Sequence, residues 1–305
     1  MNDQSNFLAH FETYLLAEKR VSKNTFLAYK KDVDQFLDFL KKEKQTIKTG
    51  TIDTLKKLLK TYKKQGLQAK TLSRKISSLK LFYSFLNERF GVENVAESLI
   101  FPKLEQKLPT YLTEKEIQLL FKSANQDDSA KGLRNKVMLY LLYASGMRAS
   151  ELINVRIEQI EFDTGFIKLE GKGNKERMVP LPKNVLDLLR FYIDLVHKNI
   201  VKDCKVDTTN KNYLFICVYK NQLKTLTRQA LWGILKRILM SAGINKNISP
   251  HSLRHSLATH LLKNGANIRS LQLLLGHEQI STVQIYTHLE NSQIRKVYDK
   301  KHPRA

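Results

Sequence analysis

IEQIEFDTGFIKLEGKGNKERMVPL, Ile157 to Leu181, is the stretch that separates this chain from an all-helical one. It breaks into three short runs, divided by Asp163-Thr164-Gly165 and by Gly171-Lys172-Gly173-Asn174-Lys175. Short runs bounded by clusters of Gly, Asn and Asp, where a chain reverses, read as strands. The spacing predicts a three-stranded antiparallel meander with Lys172 at the tip of its second turn. Almost everywhere else apolar residues recur three and four apart, so the fold class is mainly α with one small sheet.

Toward the N-terminus, FLAHFETYLLAEK, NTFLAYKKDVDQFLDFLKK, TIDTLKKLLKTYKKQ and TLSRKISSLKLFYSFLNERF each carry the helical period. Ser22 and Thr71 read as N-caps, and Gly66 and Gly91 fall just past helix ends. Four amphipathic helices with short links predict a four-helix bundle over residues 1–100. FPKLEQKLPTYL, residues 101–112, has two prolines and no period and reads as a linker. A second domain, 113–305, opens at Thr113, which with Glu116 makes a capping box. Its helix RNKVMLYLLYASG stops at Gly146. From Lys183 the helical pattern resumes to the end, except in YLFICV (213–218), a buried strand or a short helix.

Charge narrows the partner class. The 305 residues hold 52 Lys and Arg against 29 Asp and Glu, a net +23. Both parts share the excess, with 21 bases against 12 acids up to Lys107 and 31 against 17 beyond it. From Thr208 to His277, 70 consecutive residues contain no acid and ten bases. Solvated surface mixes both signs, so an acid-free basic stretch predicts a face that meets a polyanion. Two cysteines are too few for a disulfide framework, the N-terminus MNDQSN resembles no signal peptide, and the longest apolar run, VMLYLLYA, is too short to span a bilayer. The expectation is a cytoplasmic protein with no membrane partner.

SPHSLRHSLATHLLKNG, Ser249 to Gly265, concentrates the chemistry. Ser249 and Pro250 read as N-cap and first helical residue, and Asn264-Gly265 as the stop. At about 100° per residue, His251, Arg254 and His255 share one arc, while Leu253, Leu257, Leu261 and His260 lie opposite. His251 and His255 have the i, i+4 spacing of a zinc-binding helix, but the glutamate such a motif requires is missing and a cation sits in the same arc. No metal is expected. A guanidinium fork beside an imidazole fits a phosphate instead, although surface histidines give the same pattern.

Four further segments share that logic. Arg148 follows Gly146 at a helix boundary, with Glu151 one turn on to orient it; an ordinary ion pair reads the same way. Lys172, between two glycines, is either a solvated hairpin tip or a mobile ammonium. His277 follows Gly276 at the end of an apolar helix. Ser281 and Gln284 form a capping box for a short helix that carries Tyr286, which taken alone reads as a core tyrosine.

Taken in order, Arg148, Lys172, His251-x-x-Arg254, His277 and Tyr286 resemble the active-site set of the tyrosine recombinases. PHSLRHSLATHLL, LLGH and STVQIYTH are similar to the XerC/XerD branch, as are GMRASEL, GKGNKER, LTRQALWGILKR, VYDKKHPRA and SKNTFLAYKKDVDQF. The resemblance implies a SAM-like core-binding bundle followed by an α-rich catalytic domain. It implies cleavage and rejoining of double-stranded DNA through a 3′-phosphotyrosyl link to Tyr286, with no cofactor, neither metal nor ATP. Arg148 and Arg254 would then clamp the phosphate, Lys172 would protonate the leaving 5′-oxygen, His251 would act as acid and base, and His277 would donate to the phosphate. Glu151 would support Arg148 from behind. Candidate DNA contacts are Lys23, Asn24, Thr25, Lys70, Ser73, Arg74, Arg228 and Gln229. The resemblance further implies a tetramer on two DNA sites, a second Xer-type recombinase and an FtsK-type translocase as partners, and resolution of chromosome and plasmid dimers at division. A phage or integron integrase and a type IB topoisomerase-like enzyme are the alternatives, and a DNA binder without catalysis would not need the histidines and tyrosine beside its arginines.

Overall fold

The computed structural model describes residues 3–103, 110–171, 176–204 and 210–275. The chain divides into two compact units, Met1–Lys107 and Leu108–Ala305.

In the first unit, α1 (Asp3–Thr13) continues through a π-type turn at Tyr14–Glu18, and α2 (Lys23–Lys42), α3 (Ile52–Lys64) and α4 (Ala69–Phe90) follow. These are the four predicted helices. Ser22 caps α2 by accepting the Thr25 amide, and Gly91 ends α4 at φ 63°. Thr71 is not an N-cap: α4 begins one turn earlier behind Gln68, because the extended backbone that a cap needs falls at Gln68 (φ −63°, ψ 148°). Phe11, Leu15, Phe36, Leu40, Phe82 and Leu86 close the core. One carboxylate is sealed beside it. Asp32 on α2 accepts hydrogen bonds from Arg74, Lys75 and Ser78, all on α4. Lys75 is as buried as its partner. Such a pair is stable only while both members are present.

The second unit opens with α5 (Glu114–Ala124), capped by the Thr113–Glu116 box in both directions, and α6 (Ala130–Ser145). A short α7 (Ala149–Asn154) leads into β1 (Ile160–Glu161), β2 (Phe166–Glu170) and β3 (Glu176–Pro180). They pair antiparallel in the order β1-β2-β3, with Ile167 opposite Val179 on the buried face. This is the predicted meander. Helices α8 (Lys183–Tyr192) and α9 (Lys198–Asp203) follow, joined by a π-type turn at Ile193–His197.

The expectation of one small sheet is too low. YLFICV enters β4 (Ile216–Tyr219), which pairs with β5 (Gln222–Thr225) in a second, two-stranded sheet. Its two-residue turn is Lys220-Asn221, with both residues at positive φ (49° and 57°). Hairpin turns of that hand favour Asn-Gly, so Lys-Asn hid the signal.

Helices α10 (Arg228–Ser241), α11 (Pro250–Lys263) and α12 (Ile268–Leu275) complete the described part. Ser249 caps α11 and Pro250 is its first residue. Leu253, Leu257 and Leu261 enter the core, as the wheel predicts, and the opposite-facing His260 is sealed with them against the Tyr143 hydroxyl (2.8 Å). The segment before α5 is anchored to α11: the Leu112 amide donates to Ser256 Oγ, and Tyr111 meets His255 edge to face.

Candidate active site

The site is built where α6 ends and α7 begins. A left-handed residue is needed to stop α6, and Gly146 supplies it at φ 58°. It also permits close approach, since a β-carbon there would lie 2.7 Å from Leu275 Cδ2 and 2.9 Å from Leu257 Cδ2. The bare backbone therefore lets α6, α11 and α12 meet with their functional ends together.

Arg148 caps α7 in extended conformation. Its backbone N–H donates to Glu151 Oε2 (2.7 Å) and its Nη1 to Glu151 Oε1 (2.8 Å). Glu151 thus contacts both the main chain and the side chain of Arg148. A third residue shares that carboxylate, and sequence reasoning missed it. Arg177 on β3 grips Glu151 with a two-pronged fork (2.9 and 2.7 Å) and donates through Nε to the Leu274 carbonyl (3.2 Å). The signal was in the strand period, because Arg177 and Val179 share the inward face of β3.

Arg254 does not lie open on the solvent arc of α11. It is buried, with Nη1 donating to the Gly146 carbonyl (2.7 Å) and Nη2 to the Leu275 carbonyl. Carbonyls at the C-terminal ends of α6 and α12 thus draw the guanidinium inward. His251 sits exposed in the first turn of α11, and His255 is half-buried beside Tyr111. Lys172, His277 and Tyr286 lie outside the described residues, as does the Ser281–Gln284 box.

Electrostatics give this cluster its character. Burial opposes ionisation of Glu151, but the fork and charge of Arg177, with the amide and guanidinium of Arg148, hold its carboxyl down at about 2. For Arg254, burial first and then the charges of Arg148 and Arg177 push ionisation down to about 10, against the pull of Glu151. It stays charged at neutral pH. Three guanidinium groups thus converge on one carboxylate. The local imbalance favours an added anion. Arg148, the most exposed of the three, opens with Ser150, Asn154 and Gln159 onto a cleft of about 330 Å³ that runs to Gly171, the residue before Lys172 in the sequence. Among the described residues no three His, Cys, Asp or Glu side chains group to hold a metal.

The Phage integrase family model matches residues 110–293, and the Phage integrase N-terminal SAM-like domain matches residues 8–89. The chain belongs to the phage integrase family. Tyrosine recombinase XerD of Staphylococcus saprophyticus is 40% identical over 295 residues, covering 96% of this chain and 97% of that one. Tyrosine recombinase XerD of Staphylococcus haemolyticus is 38% identical over the same length. Among solved structures, the Tn1549 transposon integrase in complex with transposon right end DNA has a TM-score of 0.67 at 17% identity, covering 96% of this chain and 98% of that one. The XerH recombinase bound to palindromic difH substrate has a TM-score of 0.65 at 23% identity, covering 89% and 78%. These two share the fold. The chain is an Xer-type site-specific tyrosine recombinase with a SAM-like N-terminal domain.

The candidate DNA contacts of the first unit cluster on neighbouring helix starts. Lys23, Asn24 and Thr25 begin α2, and Lys70, Ser73 and Arg74 lie in the first two turns of α4. Arg74 reaches from α4 to the Ala28 carbonyl, one turn beyond Asn24. Lys23, Asn24 and Lys70 are exposed, Thr25, Ser73 and Arg74 half-buried. Arg74 is held by Asp32 much as Arg148 is held by Glu151. In the second unit, Arg228 and Gln229 open α10 and are exposed.

Proposed function

We propose that the chain cuts and rejoins double-stranded DNA at specific sites, Tyr286 attacking the scissile phosphorus to leave a 3′-phosphotyrosyl link and a free 5′-hydroxyl. The guanidinium excess around Glu151 is the observation that carries this reading: it is an oxyanion site whose charge exceeds what its own acid can balance. Arg148 and the remaining N–H groups of Arg254 bind the non-bridging oxygens as charge builds on them. Donors fixed before reaction are worth roughly 3 kcal/mol each to such a transition state. Glu151 keeps Arg148 from swinging into solvent. His251 moves the proton between the phenol and the site, Lys172 protonates the departing 5′-oxygen, and His277 donates to the phosphate. The phenol ordinarily ionises near 10, so it needs this cationic surround to react at neutral pH.

Residues 1–100 and 113–305 serve as core-binding and catalytic domains joined by 101–112. The complex acts as a tetramer on two sites, with a second Xer-type recombinase and under an FtsK-type translocase, resolving chromosome dimers in the cytoplasm. The similarity to XerD proteins over nearly the full chain supports that role. No described helix is long and apolar enough to cross a membrane.

The test uses a nicked suicide duplex built on the terminus-region repeat of the source genome. Wild-type protein should yield a denaturation-resistant DNA–protein adduct through a 3′ end. Tyr286→Phe should yield none while binding the same duplex. An adduct formed by that variant would overturn the assignment.

A further inference from the structure

Arg177 lies outside the set of six, yet its contacts reach the surroundings of three of them. We propose that Arg177 is a positioning residue for strand cleavage, holding Glu151, and through it Arg148, in register with β3 and with the end of α12. This rests on the reading above that Arg148 binds the scissile phosphate.

The side chain cannot act on DNA directly, because only 6% of it is exposed against 38% for Arg148. Each of its three nitrogens donates to an internal acceptor: two to Glu151 and one to the Leu274 carbonyl. Arg177 stands on β3, one residue after the strand begins at Glu176 and five after Lys172. Leu274 lies three residues before His277, and Arg254 takes the next carbonyl, Leu275. One buried fork therefore fastens α7, β3 and α12, and each stands within a few residues of a catalytic candidate in the sequence.

Glu151 shows how the fastening is transmitted. Its Oε1 accepts from Arg148 Nη1 and Arg177 Nη1, and its Oε2 from the Arg148 amide and Arg177 Nη2. A carboxylate that accepts two bonds at each oxygen has no free rotation left. Without Arg177 the remaining two bonds to Glu151 come from Arg148 alone, and the carboxylate loses its tie to β3 and α12. A planar two-pronged fork is something lysine cannot reproduce.

The experiment measures single-turnover adduct formation and DNA affinity for wild type, R177M, R177K, E151Q and the E151Q/R177M double variant, with thermal unfolding of each. R177M should form adduct about 100-fold more slowly with DNA affinity within about threefold, the mark of an interaction used only in the transition state. R177K, which keeps the charge and loses the fork, should be slowed about tenfold; it and E151Q/R177K carry the test if R177M does not fold. The decisive reading is coupling: the double variant should be within about threefold of E151Q alone, because Arg177 acts through Glu151. Losses that multiply, or wild-type rates in both R177M and R177K, overturn the proposal while leaving the cleavage reading intact. Absence of adduct from wild-type protein overturns both.

Discussion

Replacing Gly146 by alanine tests whether the close meeting of three helices holds the site together. Two penalties add. At φ 58° an alanine occupies the left-handed region, at a cost of about 1 kcal/mol. Its β-carbon would also press on Leu275 and Leu257 at 2.7 and 2.9 Å, and these side chains, 2% and 0% exposed, have nowhere to retreat. Overpacking of that kind costs roughly 1–3 kcal/mol. The sum, about 3 kcal/mol, converts to a Tm loss of about 6–12 °C for a unit of this size. The single tryptophan, Trp232 on α10, reports on the second unit alone. Gly233→Ala is the matched control, since a β-carbon there meets nothing within 4 Å and the residue lies inside α10. It should gain up to about 1 kcal/mol. Adduct formation should fall with Gly146→Ala, whose carbonyl orients Arg254, and not with Gly233→Ala. Equal melting of the Gly146 variant and wild type would refute the reasoning, as would shifts of the same sign in both variants.

Three other outcomes follow from features already described. Asp32→Ala leaves Lys75 buried without its partner, which should destabilise the first unit by about 3–5 kcal/mol in urea unfolding followed by circular dichroism, with the Trp232 transition unmoved. Glu151 ionises at about 2 in the folded protein, below the ordinary 4.5. The stability it contributes is therefore complete above the ordinary value and is lost as pH falls from there toward 2, by about 3 kcal/mol; Glu151→Gln should flatten that slope in acid titrations. DNA affinity should fall with salt at a log–log slope near −0.9 per neutralised phosphate. Alanine at Lys23, Lys70, Arg74 or Arg228 should each reduce the slope by about one contact, and slopes identical to wild type would remove those residues from the interface.

Much of this architecture was legible because local signals agreed with the tertiary outcome. Ser22, Thr113 and Ser249 cap helices whose apolar faces were already periodic, and Gly146 and Gly91 end theirs in the left-handed conformation. The meander was readable from short runs bounded by turn residues. Three things were not. The β4–β5 turn uses Lys220-Asn221, in which Asn tolerates positive φ but stands second, and Lys has no such preference, so tertiary pairing decides it. Arg254 was placed on the right arc of α11, but its burial depends on carbonyls at Gly146 and Leu275, supplied by helices distant along the chain. Arg177 shares the inward face of β3 with Val179, but nothing in the sequence pairs it with Glu151, a contact that only the folded chain makes.

The guanidinium excess has a thermodynamic corollary for the purified protein. Like charges gathered out of water repel one another, so without an oxyanion the second unit carries this strain, and whatever relieves it favours the folded state. Sulfate or inorganic phosphate would then raise the melting temperature of that unit before any DNA is added. A protein shaped to grip a charged reaction centre is in this sense least durable when idle, and its substrate acts as a folding aid as well.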